Sequence, residues 1–159
     1  MAEIPTVSMT TTNIFKSSIP WFHQRVGAAA VYCADGRYND QTDDFLHQHL
    51  GLPRYDRVVI PGGAGCLAGH THAMRERGAF EKQLRFLVES HQIKRIVLIA
   101  HEDCGFYRHL LRLRTPIEAQ QCQDLLAVAA MIRTWTDGLQ VDAYFARKVD
   151  DLVQFELLT

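Results

Sequence analysis

Short, almost uninterrupted apolar runs recur along the chain at 26–33, 57–60, 94–100 and 139–146. Runs of this length without polar alternation predict strands buried on both faces of a parallel sheet. Between them the apolar period becomes helical. Residues 40–50 place Phe45, Leu46, His49 and Leu50 at helical spacing and stop at Gly51, with Asp43 and Asp44 in the early turns, where the helix dipole favours them. Residues 73–91 carry Phe80, Leu84, Leu87 and Val88 on one stripe, and 106–113 forms a shorter helix with interleaved arginines. Thr115-Pro116-Ile117-Glu118 is a capping-box pattern with proline at the first helical position; it opens a helix to Trp135 that Asp137-Gly138 closes.

Strands alternating with helices imply right-handed crossovers. Asp150-Asp151 is too short for a crossover, so 152–158 is expected as an antiparallel edge strand. The predicted fold is α/β: a central, mainly parallel sheet of about four strands plus an antiparallel edge strand, with helices on both faces. Residues 1–25 lack this patterning and contain Pro5 and Pro20; they read as an N-terminal arm on a single domain of residues 26–159. Trp21 and Phe22 are its natural anchors, on the domain or on a partner subunit.

Composition narrows the function classes. A chain of 159 residues suffices for one domain with a real core, and 47% hydrophobic with 22% charged residues is ordinary for a soluble globular protein. A net charge of −1 offers no footprint for nucleic acid or a membrane surface. No stretch has the apolar core of a signal peptide or the roughly 18 apolar residues of a membrane span, so the expectation is a cytoplasmic protein. Four widely spaced cysteines (33, 66, 104 and 122) suit metal binding, catalysis or burial better than a disulfide framework.

In open parallel sheets ligands gather at the carboxyl ends of strands. Three chemistry-bearing segments are expected there: Cys33-Ala34-Asp35-Gly36-Arg37, Pro61-Gly62-Gly63-Ala64-Gly65 and His101-Glu102-Asp103-Cys104-Gly105. Cys33, His101 and Cys104 supply two thiolates and an imidazole, a donor set for Zn2+ that leaves a fourth position for water or another side chain. One turn after a strand presents His101 and Cys104 to the same ion. Asp35 and Arg37 can pair by charge-assisted hydrogen bonds and orient that water. Singly, a cysteine ending a buried strand is more often a small buried hydrophobe, and each short motif is weak; both motifs at two strand ends make the stronger case.

Other polar residues carry less. Cys66 and His70, four apart, could reach the same metal or form a second site, but Cys66 packed and His70 solvated is the commoner outcome. His47 and His49 face different directions on a helix. His72, His91 and His109 read as surface residues, and Cys122, near Leu125 and Leu126, as core. Arg108, Arg112 and Arg114 read as a solvated face, or one that binds an anion or a subunit.

The C-x-D-x-R and H-x-x-C segments resemble the signature of the β-class carbonic anhydrases, and the likeness extends in order over residues 26–158. The resemblance implies zinc held by Cys33, His101 and Cys104, with Asp35 and Arg37 as a catalytic dyad. Asp35 would either accept a proton from zinc-bound water or take the fourth metal position. It further implies reversible hydration of CO2 to bicarbonate by zinc-bound hydroxide, in a homodimer or higher homo-oligomer. Gly36 stands where the family's motif usually has serine, and the stretch around Cys66 to Arg77 is longer than in the family. Rival readings remain open. They are a hydrolase of COS or CS2 on the same scaffold, a closed structural zinc site completed by Asp35 or Cys66, and an amidotransferase-like fold in which His101 activates Cys104 as a nucleophile.

Overall fold

The computed structural model describes residues 11–110 and 116–159. The five predicted strands form β1 (Ala28–Cys33), β2 (Asp56–Ile60), β3 (Arg95–His101), β4 (Gln140–Val149) and β5 (Leu152–Leu157). They make one sheet in the order β2-β1-β3-β4-β5. The first four are mutually parallel and β5 runs antiparallel to β4, as expected. β4 runs past the predicted end because β5 folds straight back on it, pairing Val149 with Leu152 across a turn in which Asp150 has φ 53°.

Both faces of the sheet are covered, which is why its central strands show no polar alternation. On one face Val31, Ile96, Leu98, Val141 and Phe145 meet Phe80, Leu84 and Val88 of α2 (Met74–Ser90) and Leu125, Val128 and Ile132 of α3 (Ile117–Arg133). On the other, Ala30, Tyr32, Val97, Ile99 and Tyr144 meet Tyr38, Phe45 and Leu46 beside α1 (Asn39–Asp44). Each fully buried Leu, Ile, Val or Phe in these layers contributes about 1.5–3 kcal/mol relative to exposure.

The predicted helix at 40–50 divides. After α1 the chain widens into a π-type turn, Phe45–His49, where the Leu50 N–H donates to the Phe45 carbonyl at 3.1 Å. Phe45 stacks on Phe155 of β5 with ring centroids 4.2 Å apart, and Gly51 ends the turn at φ 65°. The predicted helix at 106–113 begins with another such turn, Phe106–Leu110. Arg112, Arg114 and Thr115 lie outside the described residues. Pro116 occupies the N-cap of α3 rather than its first helical position, and Glu118 is drawn away to Arg147 of β4 instead of closing a capping box.

Residues 11–27 contain no helix or strand. Phe22 lies under the Arg54 guanidinium, 4.4 Å from its ring centroid, whereas Trp21 stays 79% exposed. Of the two expected anchors, Phe22 is the one whose ring meets a charged group from the segment before β2. Among the described residues no helix is long and apolar enough to cross a membrane.

Candidate metal centre

β1 and β3 are neighbours, with Val31 opposite Leu98, so their ends deliver both motifs to one place. One ligand atom each from Cys33, His101 and Cys104 lies within 4.8 Å of the others. The two sulfurs are 3.9 Å apart. Two thiolates on one tetrahedral Zn2+, each at about 2.3 Å, would lie about 3.8 Å apart.

His101 is 3% exposed and packs on Tyr38, ring centroids 4.4 Å apart. Its Nδ1 donates to the Glu102 carbonyl at 2.7 Å, which leaves Nε2 as the lone-pair nitrogen. Nε2 is buried and has no hydrogen-bond partner among the described residues. An unsatisfied buried acceptor costs about 1–3 kcal/mol. A metal ion would take up that lone pair, so the residues present fit one. Asp103, at φ 59°, turns the chain between His101 and Cys104 so that both face inward.

The thiols are unequal. A hydrogen bond from Cys104, helped by the Gly62 N–H, draws the Cys33 thiol down to about 4 against the opposing effect of burial. The same contact and burial push Cys104 up, while backbone N–H groups of Phe106 and Tyr107 favour its thiolate. The pair thus gives up one proton easily and holds the other, the state that an arriving cation would convert to two thiolates.

The glycine loop after β2 closes over this end of the sheet. The Gly62 N–H donates to Cys33 Sγ at 3.3 Å. A Cβ on Gly62, which has φ +81°, would lie 2.4 Å from the Phe106 ring, and one on Gly65 would lie 2.2 Å from the Tyr107 hydroxyl. Both rings therefore need glycine opposite them.

Asp35 is gripped by Arg37: Nε to Oδ1 at 2.9 Å, Nη2 to Oδ2 at 2.6 Å, and the Arg37 backbone N–H to Oδ1 at 3.1 Å. The guanidinium holds the carboxyl at about 2, well below the usual carboxylate range. Asp35 is not in the group whose ligand atoms lie within 4.8 Å of one another. At the rim Asp103 pairs with Arg108 and with Lys148 Nζ, the latter at 3.1 Å.

The remaining expectations divide. Cys66 is packed: its Sγ donates to the Pro61 carbonyl at 3.3 Å, and burial raises the thiol to about 11. His70 is not solvated. Its Nε2 lies 2.6 Å from Asp124 Oδ2, because a carboxylate buried to 5% exposure needs partners. His91 likewise pairs with Asp56 at 2.6 Å, while His72 and His109 are exposed as expected. Cys122 is only partly buried against the core.

Two residues of α3 that support the site were not among those expected. Gln121 Nε2 donates to the His101 carbonyl at 2.9 Å, and Asp124 accepts from Tyr107 Oη at 2.8 Å. A signal existed: Gln121 and Asp124 are polar members of a stripe that continues through Leu125, Val128 and Ile132.

A doubly covered α/β sheet with a Cys–His–Cys set at the ends of adjacent central strands defines a candidate metal-binding domain of the β-carbonic-anhydrase architecture. Residues 23–158 match the family described as "Putative carbonic anhydrase", and the chain belongs to that family. An uncharacterized protein of Rickettsia conorii is 34% identical over 82 residues, 51% of this chain and 43% of the relative. The match therefore spans less than half of that protein's length. The crystal structure of β-carbonic anhydrase isoform I from Trichomonas vaginalis superposes with TM-score 0.57 at 12% identity, covering 90% of this chain and 87% of that one. One of two tetrameric β-carbonic anhydrases from Sordaria macrospora gives TM-score 0.50 at 15% identity over 84% and 81% of the respective chains. The resemblance carried by the two motifs thus holds for family and fold.

Proposed function

We propose that the protein is a zinc enzyme that interconverts CO2 and bicarbonate, with Cys33, His101 and Cys104 as the metal ligands and Asp35 and Arg37 as the catalytic pair. The observation that carries this reading is the convergence of two thiols on a buried, unpartnered His101 Nε2. Zinc bound there supplies a Lewis acid that makes water nucleophilic near neutral pH.

The chain's own groups do the rest. His101 is oriented by the Glu102 carbonyl and cannot tip away, since Tyr38, whose hydroxyl donates to the same carbonyl at 3.1 Å, covers its ring. Asp35, kept ionised, is an acceptor for a proton of the attacking water, and Arg37 holds it toward that task. Its engagement with Arg37 favours this role over that of fourth ligand. Cys66, bonded to Pro61 O, is equally unsuited to close the site, which argues for an open catalytic position over a structural zinc. A Cys104 nucleophile is disfavoured because it gives no role to Cys33, which lies against it, or to the Asp35–Arg37 pair.

The site needs reduced thiols, which fits a reducing compartment such as the cytoplasm. The arm leaves Ile14, Phe15, Ile19 and Trp21 between 75% and 93% exposed, which suits a homodimer or higher homo-oligomer in which a partner covers them. The tetrameric Sordaria macrospora enzymes accord with this.

Zinc content by mass spectrometry and stopped-flow CO2 hydration test the function, with COS and CS2 assayed alongside. One zinc per chain is expected. Asp35→Ala is expected to keep it while losing about 10²–10⁴-fold in rate, the usual worth of a positioned acid–base group. Absence of zinc sinks the reading, and zinc with COS or CS2 turnover but no CO2 hydration reassigns the substrate.

A further inference from the structure

The segment beyond the glycine loop makes a contact with α3 that the proposed chemistry does not use. Asp124 Oδ2 meets His70 Nε2 at 2.6 Å and Tyr107 Oη at 2.8 Å, and Oδ1 accepts from Gln120 Nε2 at 2.8 Å. A carboxylate this buried is costly, and an apolar residue would pack the same helix face at less cost. Its partners explain its position. Tyr107 is 1% exposed and lies three residues beyond Cys104, so where its ring is held decides where the segment after that cysteine runs. Its hydroxyl lies where a Gly65 side chain would begin, so it also wedges the glycine loop whose Gly62 N–H donates to Cys33. His70 comes from the segment just beyond that loop. One carboxylate thus ties together the segment that follows Cys104 and the loop whose Gly62 N–H donates to Cys33. One turn earlier on α3, Gln121 holds the carbonyl of the third ligand, His101, at 2.9 Å.

We propose that Asp124, through Tyr107 and His70, is a positioning residue that fixes the segment after Cys104 and the glycine loop whose Gly62 N–H donates to Cys33, and thereby sets the affinity and ligand field of the proposed metal site. The inference rests on the zinc reading above. Thiolates that accept backbone N–H bonds donate less charge to a metal, and the donors' placement depends on where the two loops sit. Partners of this kind are typically worth about 10–100-fold in metal affinity.

Competition titration with a chromogenic zinc chelator and the thiolate-to-cobalt charge-transfer band of the Co2+-loaded protein provide readouts independent of turnover. Tyr107→Phe removes one oxygen; Asp124→Asn removes the charge; Val128→Ala, on the same helix but away from the site, controls for lost stability. Tyr107→Phe and Asp124→Asn are expected to weaken zinc binding about 10–100-fold and to shift the cobalt band. Val128→Ala should melt earlier with both readouts unchanged. If Tyr107→Phe and Asp124→Asn melt earlier yet keep the wild-type affinity and band, the cluster only stabilises the fold and the inference is overturned. Should Asp124→Asn fail to fold, Tyr107→Phe decides alone. Wild-type protein that takes up neither metal overturns the zinc reading and this inference together, an outcome distinct from unchanged binding in the variants.

Discussion

The turns that follow β1 and β3 each contribute to the same candidate metal centre, yet they are held by different means. After β1, Cys33 is half-buried, Asp35 and Arg37 bind each other across two residues, and the guanidinium is 68% exposed. After β3, His101 and Cys104 are 3% and 1% exposed, and their turn is tied to Tyr38, Gln121 and, through Tyr107, Asp124. The first turn is self-contained and open to solvent. The second is desolvated and braced by remote elements. Under the proposed function, a site that must hold a metal rigidly and still admit water and a small substrate would divide the two requirements in this way: the β3 turn supplies two braced ligands, while the β1 turn supplies one ligand and the solvent-facing Asp35–Arg37 pair.

The sharpest way to break this contrast is to remove a proposed ligand from the braced side. His101→Ala should lower zinc affinity by more than about 100-fold, beyond the usual loss from an outer partner, as read by chelator competition. An affinity within tenfold of wild type would place the metal elsewhere.

Two glycine substitutions probe the same contrast through stability. Gly65→Ala puts a methyl 2.2 Å from the Tyr107 hydroxyl, on the braced side, where neighbours are themselves packed. It should cost about 1–3 kcal/mol by overpacking. Gly36→Ser adds a side chain in the turn after β1, where a Cβ would meet only Asn39 Nδ2, at 4.0 Å. A change within about 0.5 kcal/mol is expected there. Denaturant unfolding of both variants measures the difference, and equal losses would show that the packing around Tyr107 is no tighter than the turn after β1.

Much of this contrast is legible in the amino-acid sequence. Continuous apolar runs mark the central strands because helices cover both sheet faces, and the two motifs can be joined because strand ends in such a sheet face one crevice. Long-range pairing is not legible in the same way. Nothing local marks His70 as the partner of a carboxylate 54 residues away; four positions from a cysteine, it reads as a solvated side chain. The wide turns at Phe45–His49 and Phe106–Leu110 share their apolar spacing with ordinary helices, so periodicity does not separate them. The buried polar stripe of α3 is visible and carries information: Gln121 and Asp124 on an apolar face signal partners the helix must reach.

The smallest expected effect concerns how Arg37 acts on Asp35. Arg37 holds the carboxyl at about 2, against an ordinary 3.8, chiefly by direct hydrogen bonding. A depressed carboxyl stabilises the fold above its ordinary pKa and loses that contribution as the pH falls from about 4 toward 2. Arg37→Gln should therefore be less stable than wild type at neutral pH and converge with it in strong acid. Asp35 would rise toward its ordinary value, yet remain ionised at every pH where a carbonic anhydrase would be assayed. CO2 hydration should then fall through lost orientation alone, by about 10-fold, the lower end of what an orienting partner contributes. Above about pH 5, a unit clear of the ordinary carboxylate range, the profile should keep its shape while its height drops. An acid limb moving up past that point in Arg37→Gln would show instead that Arg37 works by holding the charge on Asp35, and that the exposed turn is set by electrostatics more than by geometry.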